Sequence, residues 1–145
     1  MGKVLVVYYS GTGNTRKIAE RVAQGAKDAG GEVELLDAGT GFEVERLLQA
    51  DAVAIGTPDY FSYPAGEIKV VFDRALAHKS ELSDKPCVAF VSHGGGGRAL
   101  EPLERLCKAV GLKPVAEGLL VHGAPSDADA DRCTELGKAL AKAAG

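Results

Sequence analysis

The stretches "KVLVVYY", "DAVAIGTP" and "PCVAFVS" are almost continuously apolar. A strand with one wet face alternates apolar and polar residues; a strand apolar on both faces must be covered on both. Between these runs the spacing is helical. Ile18, Val22 and Ala26 fall four apart in a segment from 14 to about 29, which Gly30 and Gly31 stop. "EVERLLQA" carries Val44, Leu47 and Leu48, and "EIKVVFDRALAH" carries Ile68, Val71, Phe72 and Leu76. "RALEPLERLCKAVG" repeats the pattern with Leu100, Leu103, Cys107 and Val110. "EVELLDA" reads as the second strand, and "KPVAEGLLVHG" contains a fifth, more broken one. A last helix spans 127–144, with acids near its start and Lys138 and Lys142 near its end, which suits its dipole. Strand and helix thus alternate five times. The expectation is an α/β fold: a doubly wound, three-layer sandwich around a five-stranded parallel sheet. At 145 residues the chain suits one domain, 1–145.

Composition removes several function classes. No apolar run approaches the ~18 residues of a membrane span, and "KVLVVYY" is too short for a signal-peptide core. A net charge of -3 without a long basic run argues against nucleic acid. Cys87, Cys107 and Cys133 are odd in number and form no CxxC pair, which fits a reducing, cytoplasmic setting. His78, His93 and His122 are too scattered to suggest a metal site.

The longer connections follow strands one, three and four, at the carboxyl edge where open α/β sheets bind ligands. "SGTGNT" (10–15) runs from the first strand directly into a helix. Free N–H groups and the positive dipole end there favour an anion. Gly11 and Gly13 permit a tight turn; Ser10, Thr12 and Thr15 offer hydroxyls and Asn14 an amide. Together they make a cup of neutral donors sized for one phosphate monoester. A nucleotide P-loop would need a lysine that is missing, and Arg16 stands where a dinucleotide fingerprint needs its third glycine. A phosphatase loop would need a cysteine where Tyr9 and Ser10 stand. A plain glycine turn with a helix cap remains the structural alternative.

"GTPDYFSYPAG" places Tyr60, Phe61 and Tyr63 in four residues. Clustered loop aromatics either pack on neighbours or cover a flat ligand. "VSHGGGGRA" follows Ser92 and His93 with four glycines. It is either a flexible turn or a backbone cradle for the carbonyl oxygens of a planar ring. His93 is either a turn residue or a partner near that ring.

Together the three loops resemble the flavodoxin family, over essentially the whole chain. "SGTGNT" is similar to the family's phosphate loop. "GTPDYFSYPAG" with "EIKVVFDRA" is similar to its second flavin loop, especially as found in flavodoxin-like quinone reductases. "FVSHGGGG" stands where the third flavin loop lies. Flavodoxin is itself the type example of strand order 2-1-3-4-5 with FMN at the switch point, so that order is taken from the resemblance. The resemblance implies FMN as cofactor. It implies Ser10, Gly11, Thr12, Gly13, Asn14 and Thr15 around the phosphate. Pro58, Asp59, Tyr60, Phe61 and Ser62 would border the ring, with Tyr60 or Phe61 stacked on it. Ser92, His93, Gly94 and Gly95 would lie near the pyrimidine edge. Two positions depart from the family: Ser62 stands where a glycine is common, and the third loop lacks its tyrosine.

The resemblance implies a carrier of one or two electrons between redox partner proteins, a monomer or weak dimer with no catalytic residue and no metal. The alternative is an FMN-dependent NAD(P)H:quinone oxidoreductase-like enzyme. A flavin-free regulatory module on the same topology is a third reading. It would need an acidic cluster after strand one, where Tyr9 and Ser10 stand, and a phosphorylatable acid near Asp59.

Overall fold

The computed structural model describes residues 2–145. Strand β1 (Lys3–Tyr8) is flanked on one side by β2 (Glu32–Asp37) and on the other by β3 (Ala52–Tyr60), which holds the middle of the sheet. Next comes β5 (Pro86–His93), parallel to β3. The far edge is shared by β6 (Lys113–Pro114) and β7 (Leu119–His122), both parallel to β5. A two-residue strand, β4 (Tyr63–Pro64), runs antiparallel to the end of β3.

The sheet therefore has seven strands where five were expected, but its parallel path, β2-β1-β3-β5 and then β6 with β7, is the expected order 2-1-3-4-5 once the short antiparallel β4 is set aside. The fifth position is broken because Pro114 pairs with Cys87 and Leu119 with Phe90: three steps along β5 face five along the edge. Two residues must loop out. Pro114 has no N–H to donate, and an edge position tolerates it.

Each strand sends alternate side chains to opposite faces. One face collects Val4, Val6, Ala52, Ala54, Val88 and Phe90 under α1 (Asn14–Asp28) and α6 (Asp127–Ala143). The other collects Leu5, Val7, Val53, Ile55, Ala89 and Val91 under α2 (Val44–Gln49), α3 (Gly66–Ala75) and α5 (Leu100–Ala109). Ile18, Val22 and Ala26 are fully buried, as their spacing requires. The Lys85 ammonium donates to the carbonyls of Leu47 and Leu48, which closes the end of α2; burial pushes its pKa down.

Helices α1 and α6 cross at unusually close range. A Cβ on Gly25 would run into the Thr134 carbonyl, and one on Gly137 into the Val22 carbonyl. Two bare helix surfaces therefore seat backbone against backbone.

Two boundaries differ from the sequence reading. Strand β3 continues past Gly56 to Tyr60, because Thr57 and Pro58 still pair with Val91 and Ser92 and the aromatic segment folds back on itself. The helix expected to reach His78 ends at Ala75; a 3-10 turn, Leu76–His78, and the short α4 (Lys79–Leu82) follow. Among the described residues no helix is long and apolar enough to cross a membrane.

Candidate functional site

The carboxyl ends of β1, β3 and β5 bring the three loops to one cleft. About 220 Å³ in volume, it is lined by Thr12, Asn14, Pro58, Asp59, Tyr60, Ser92, His93, Gly94 and Gly123. Asp59 is the one carboxylate among these lining residues, and no lysine or arginine stands with them. A larger cavity, about 460 Å³, lies between α6 and the edge strands around Leu119 and Leu136, and none of the three loops lines it.

In the first loop, Gly13 takes φ +102°, a left-handed conformation that a side chain would strain. The Ser10 hydroxyl oxygen accepts the N–H groups of Gly13 (3.0 Å) and Arg16 (3.2 Å) and so caps the helix start. Its own proton remains free to donate. Among the described residues no acceptor takes the N–H groups of Gly11, Thr12, Asn14 or Thr15. These donors, at the positive end of a 15-residue helix, suit an anion. Thr15 contributes differently from the other hydroxyls: its side chain is buried and bonds to the buried Ser92 hydroxyl at 2.7 Å.

The second loop is a hairpin. Tyr60 pairs with Tyr63, and the two residues between them, Phe61 (φ 57°) and Ser62 (φ 63°), are both left-handed. That is the turn type whose twist matches the flanking strands, normally built with Asn and Gly. It leaves Phe61 completely exposed. Tyr60 reaches back over the first loop, where a Cβ on Gly11 would collide with its hydroxyl. Its ring meets Tyr9 edge-on, with centroids 6.4 Å apart and planes at 74°. The Glu67 carboxylate beside the Tyr9 hydroxyl pushes that phenol's pKa up. The third loop is organised by His93, whose Nδ1 accepts the Gly95 N–H at 3.1 Å. Gly94 and Gly95 are open to solvent on the side where a Cβ would stand.

Three supporting residues were not singled out from the sequence. Thr57 is fully buried; its hydroxyl donates to the Pro58 carbonyl (2.8 Å) and accepts the Ala65 N–H (2.9 Å), closing the base of the hairpin. Glu67 faces Tyr9 from the start of α3. Gly123, after β7, adds a fourth wall to the cleft. The "GTP" at the end of an apolar run was the one available signal, because a buried threonine there needs a partner.

The model for flavodoxins matches residues 6–137. The chain belongs to the flavodoxin family. It is an FMN-binding electron-transfer protein. The family's flavodoxin from Aquifex aeolicus strain VF5 is 36% identical over 163 positions, spanning 98% of this chain and 86% of that one. That of Clostridium beijerinckii is 30% identical over 138 positions, spanning 94% and 97%. A solved archaeal flavodoxin superposes with a TM-score of 0.89 at 24% identity, covering 98% of each chain, which shows the shared fold. The residues present fit FMN: unpartnered N–H groups for its phosphate, a floor with no lysine or arginine, and an aromatic ring at the rim.

Proposed function

We propose that this chain works as an electron carrier, and that the three loops hold FMN in a fixed division of labour. The observation that carries the reading is the set of unpartnered N–H groups of Gly11, Thr12, Asn14 and Thr15 beside the cleft. Those groups, the Ser10 proton, the Thr12 hydroxyl and the Asn14 amide hold the phosphate, and Gly13 shapes the turn. Thr15 and Ser92 act chiefly as a buried tie between the first loop and β5. Pro58, Asp59, Tyr60 and Ser62 border the ring, and Tyr60 is the residue that stacks, since it lines the cleft and Phe61 does not. His93, Gly94 and Gly95 form the opposite wall.

Bound FMN supplies the capacity to take up and release one or two electrons. The protein sets how easily it does so. A floor with Asp59 and no cation disfavours added negative charge on the ring, while N–H groups of the third loop favour it. The exposed rim at Phe61 is where a redox partner approaches. Residues 1–145 serve as one FMN-binding domain, cytoplasmic, monomeric or weakly dimeric, without nucleic acid. Three buried free thiols support the reducing compartment.

Titrating apoprotein with FMN and following the loss of flavin fluorescence tests the site. Binding at micromolar concentration or tighter is expected, weakened at least tenfold by Asn14→Ala combined with Ser10→Ala. Absence of binding in the unaltered protein would remove the reading. Steady-state NADH oxidation with a benzoquinone should not exceed that of free FMN. Turnover well above it would favour the oxidoreductase.

A further inference from the structure

We propose that His93 is the positioning residue of the third loop, and that it holds this loop only as the neutral imidazole. The inference rests on the FMN reading above and adds a pH dependence to the wall facing the ring.

The chain leaves β5 at His93 and turns through 94–97. The Gly95 N–H donates to Nδ1 of His93, two residues back, at 3.1 Å. Asparagine makes the same bond with its side-chain oxygen in an Asx turn. A ring nitrogen that accepts a hydrogen bond carries no proton, so the imidazole hydrogen sits on Nε2. The ring also supports the loop from below: a Cβ on Gly97 would stand 3.4 Å from His93 Cδ2 and 3.1 Å from Leu120. The His93 carbonyl accepts the Gly123 N–H at 2.9 Å. One residue therefore anchors two of the walls that line the cleft.

Protonation places a hydrogen on Nδ1. Two N–H groups then face each other and the Gly95 bond is lost. Histidine is the side chain that ordinarily changes charge between about pH 5 and 8. The titratable groups around His93 are His122 on β7, its ring centroid 5.3 Å away, and Asp59 and Tyr60 from the end of β3. Arg98 belongs to the same loop, and the first loop presents neutral Thr12 and Asn14. Whatever charge these neighbours carry, a proton on Nδ1 removes the acceptor that the Gly95 N–H uses. Acid thus frees 94–97 from the arrangement that places Gly94 on the cleft wall.

The test has two arms. In apoprotein, the Gly95 amide and the His93 imidazole are followed by NMR from pH 8 to pH 5. In parallel, FMN affinity is measured for the unaltered protein, His93→Asn, His93→Ala and His122→Gln. Asparagine keeps the acceptor and does not titrate. Expected is a Gly95 amide shift that tracks the imidazole. Between pH 8 and pH 5 the unaltered protein should lose about fivefold more FMN affinity than His93→Asn does, the worth of one neutral hydrogen bond. The titration of the FMN phosphate is common to both and cancels in that ratio. His93→Ala should be about fivefold weaker than His93→Asn at both pH values, and His122→Gln should keep the pH dependence. The inference is overturned by a Gly95 amide indifferent to the imidazole, by His93→Asn as weak as His93→Ala, or by a pH dependence that vanishes in His122→Gln. Failure of the unaltered protein to bind FMN at either pH would instead sink the cofactor reading, and the Gly95 amide alone would then decide the role of His93.

Discussion

The hydroxyls of Thr15 and Ser92 share a hydrogen bond of 2.7 Å inside the protein, although 77 positions separate them in the chain. It is a direct tie between the phosphate loop and the strand that carries the third loop. Ser92→Ala strands a buried hydroxyl, at a cost of about 1–3 kcal/mol. Thr15→Val combined with Ser92→Ala removes both partners, so the pair should cost less than the sum of the singles. Urea unfolding of the four apoproteins checks this; additive losses would show that the bond contributes nothing of its own.

The crossing of α1 and α6 makes the second prediction. Alanine in place of a helix glycine ordinarily stabilises by up to about 1 kcal/mol. At Gly137 the new methyl meets the Val22 carbonyl, and the helices must part. Overpacking of that kind costs about 1–3 kcal/mol. Gly137→Ala should therefore lower the urea midpoint. A raised midpoint would mean that the helices separate at no expense.

At the hairpin tip the sign reverses. Ser62 already sits at φ 63°, where glycine rests without strain. Relief of about 1–2 kcal/mol outweighs the extra backbone entropy that glycine loses on folding, roughly 0.5–1 kcal/mol. Ser62→Gly should raise thermal stability of the apoprotein, and Phe61→Ala, still left-handed, should not. Equal midpoints for Ser62→Gly and the unaltered protein would argue that the tip is not strained.

A pH dependence of stability is expected at the start of α6. There the Ser126 N–H donates to the Asp129 carboxylate at 3.1 Å, and the Ser126 hydroxyl oxygen accepts the Asp129 N–H at 3.1 Å. The Ser126 N–H, then its hydroxyl, hold the Asp129 carboxyl below its ordinary value of 3.8, with Arg132 adding to them against a desolvation that opposes. A group lowered on folding stabilises above its unfolded pKa and loses that contribution as pH falls through the folded one. The melting temperature of Asp129→Ala should lie below that of the unaltered protein at neutral pH. The gap should narrow as pH falls below the ordinary 3.8 and the carboxylate that accepts the Ser126 N–H becomes protonated. A gap that does not narrow would place the loss in helix propensity and not in the carboxylate.

The amino-acid sequence by itself determined the layers. Runs such as "KVLVVYY" leave no wet face, so β1 must lie between helices, and Ile18, Val22 and Ala26 can only point at it. It also determined which loops meet, because parallel strands bring all their carboxyl ends to one edge. Short-range signals could not show where hydrogen bonds go. Thr15 looked like another ligand hydroxyl until β5 supplied Ser92 as its partner. "DYFSYP" looked like loop, since strand propensity says nothing of a chain that folds back on itself after six residues of pairing with β5. The two-residue excess between β6 and β7 is invisible without the register of β5. Patterning decides which side of an element is buried, because burial is collective and non-directional. Hydrogen bonds and register depend on single atoms within about 3 Å, and only the packed tertiary structure decides those.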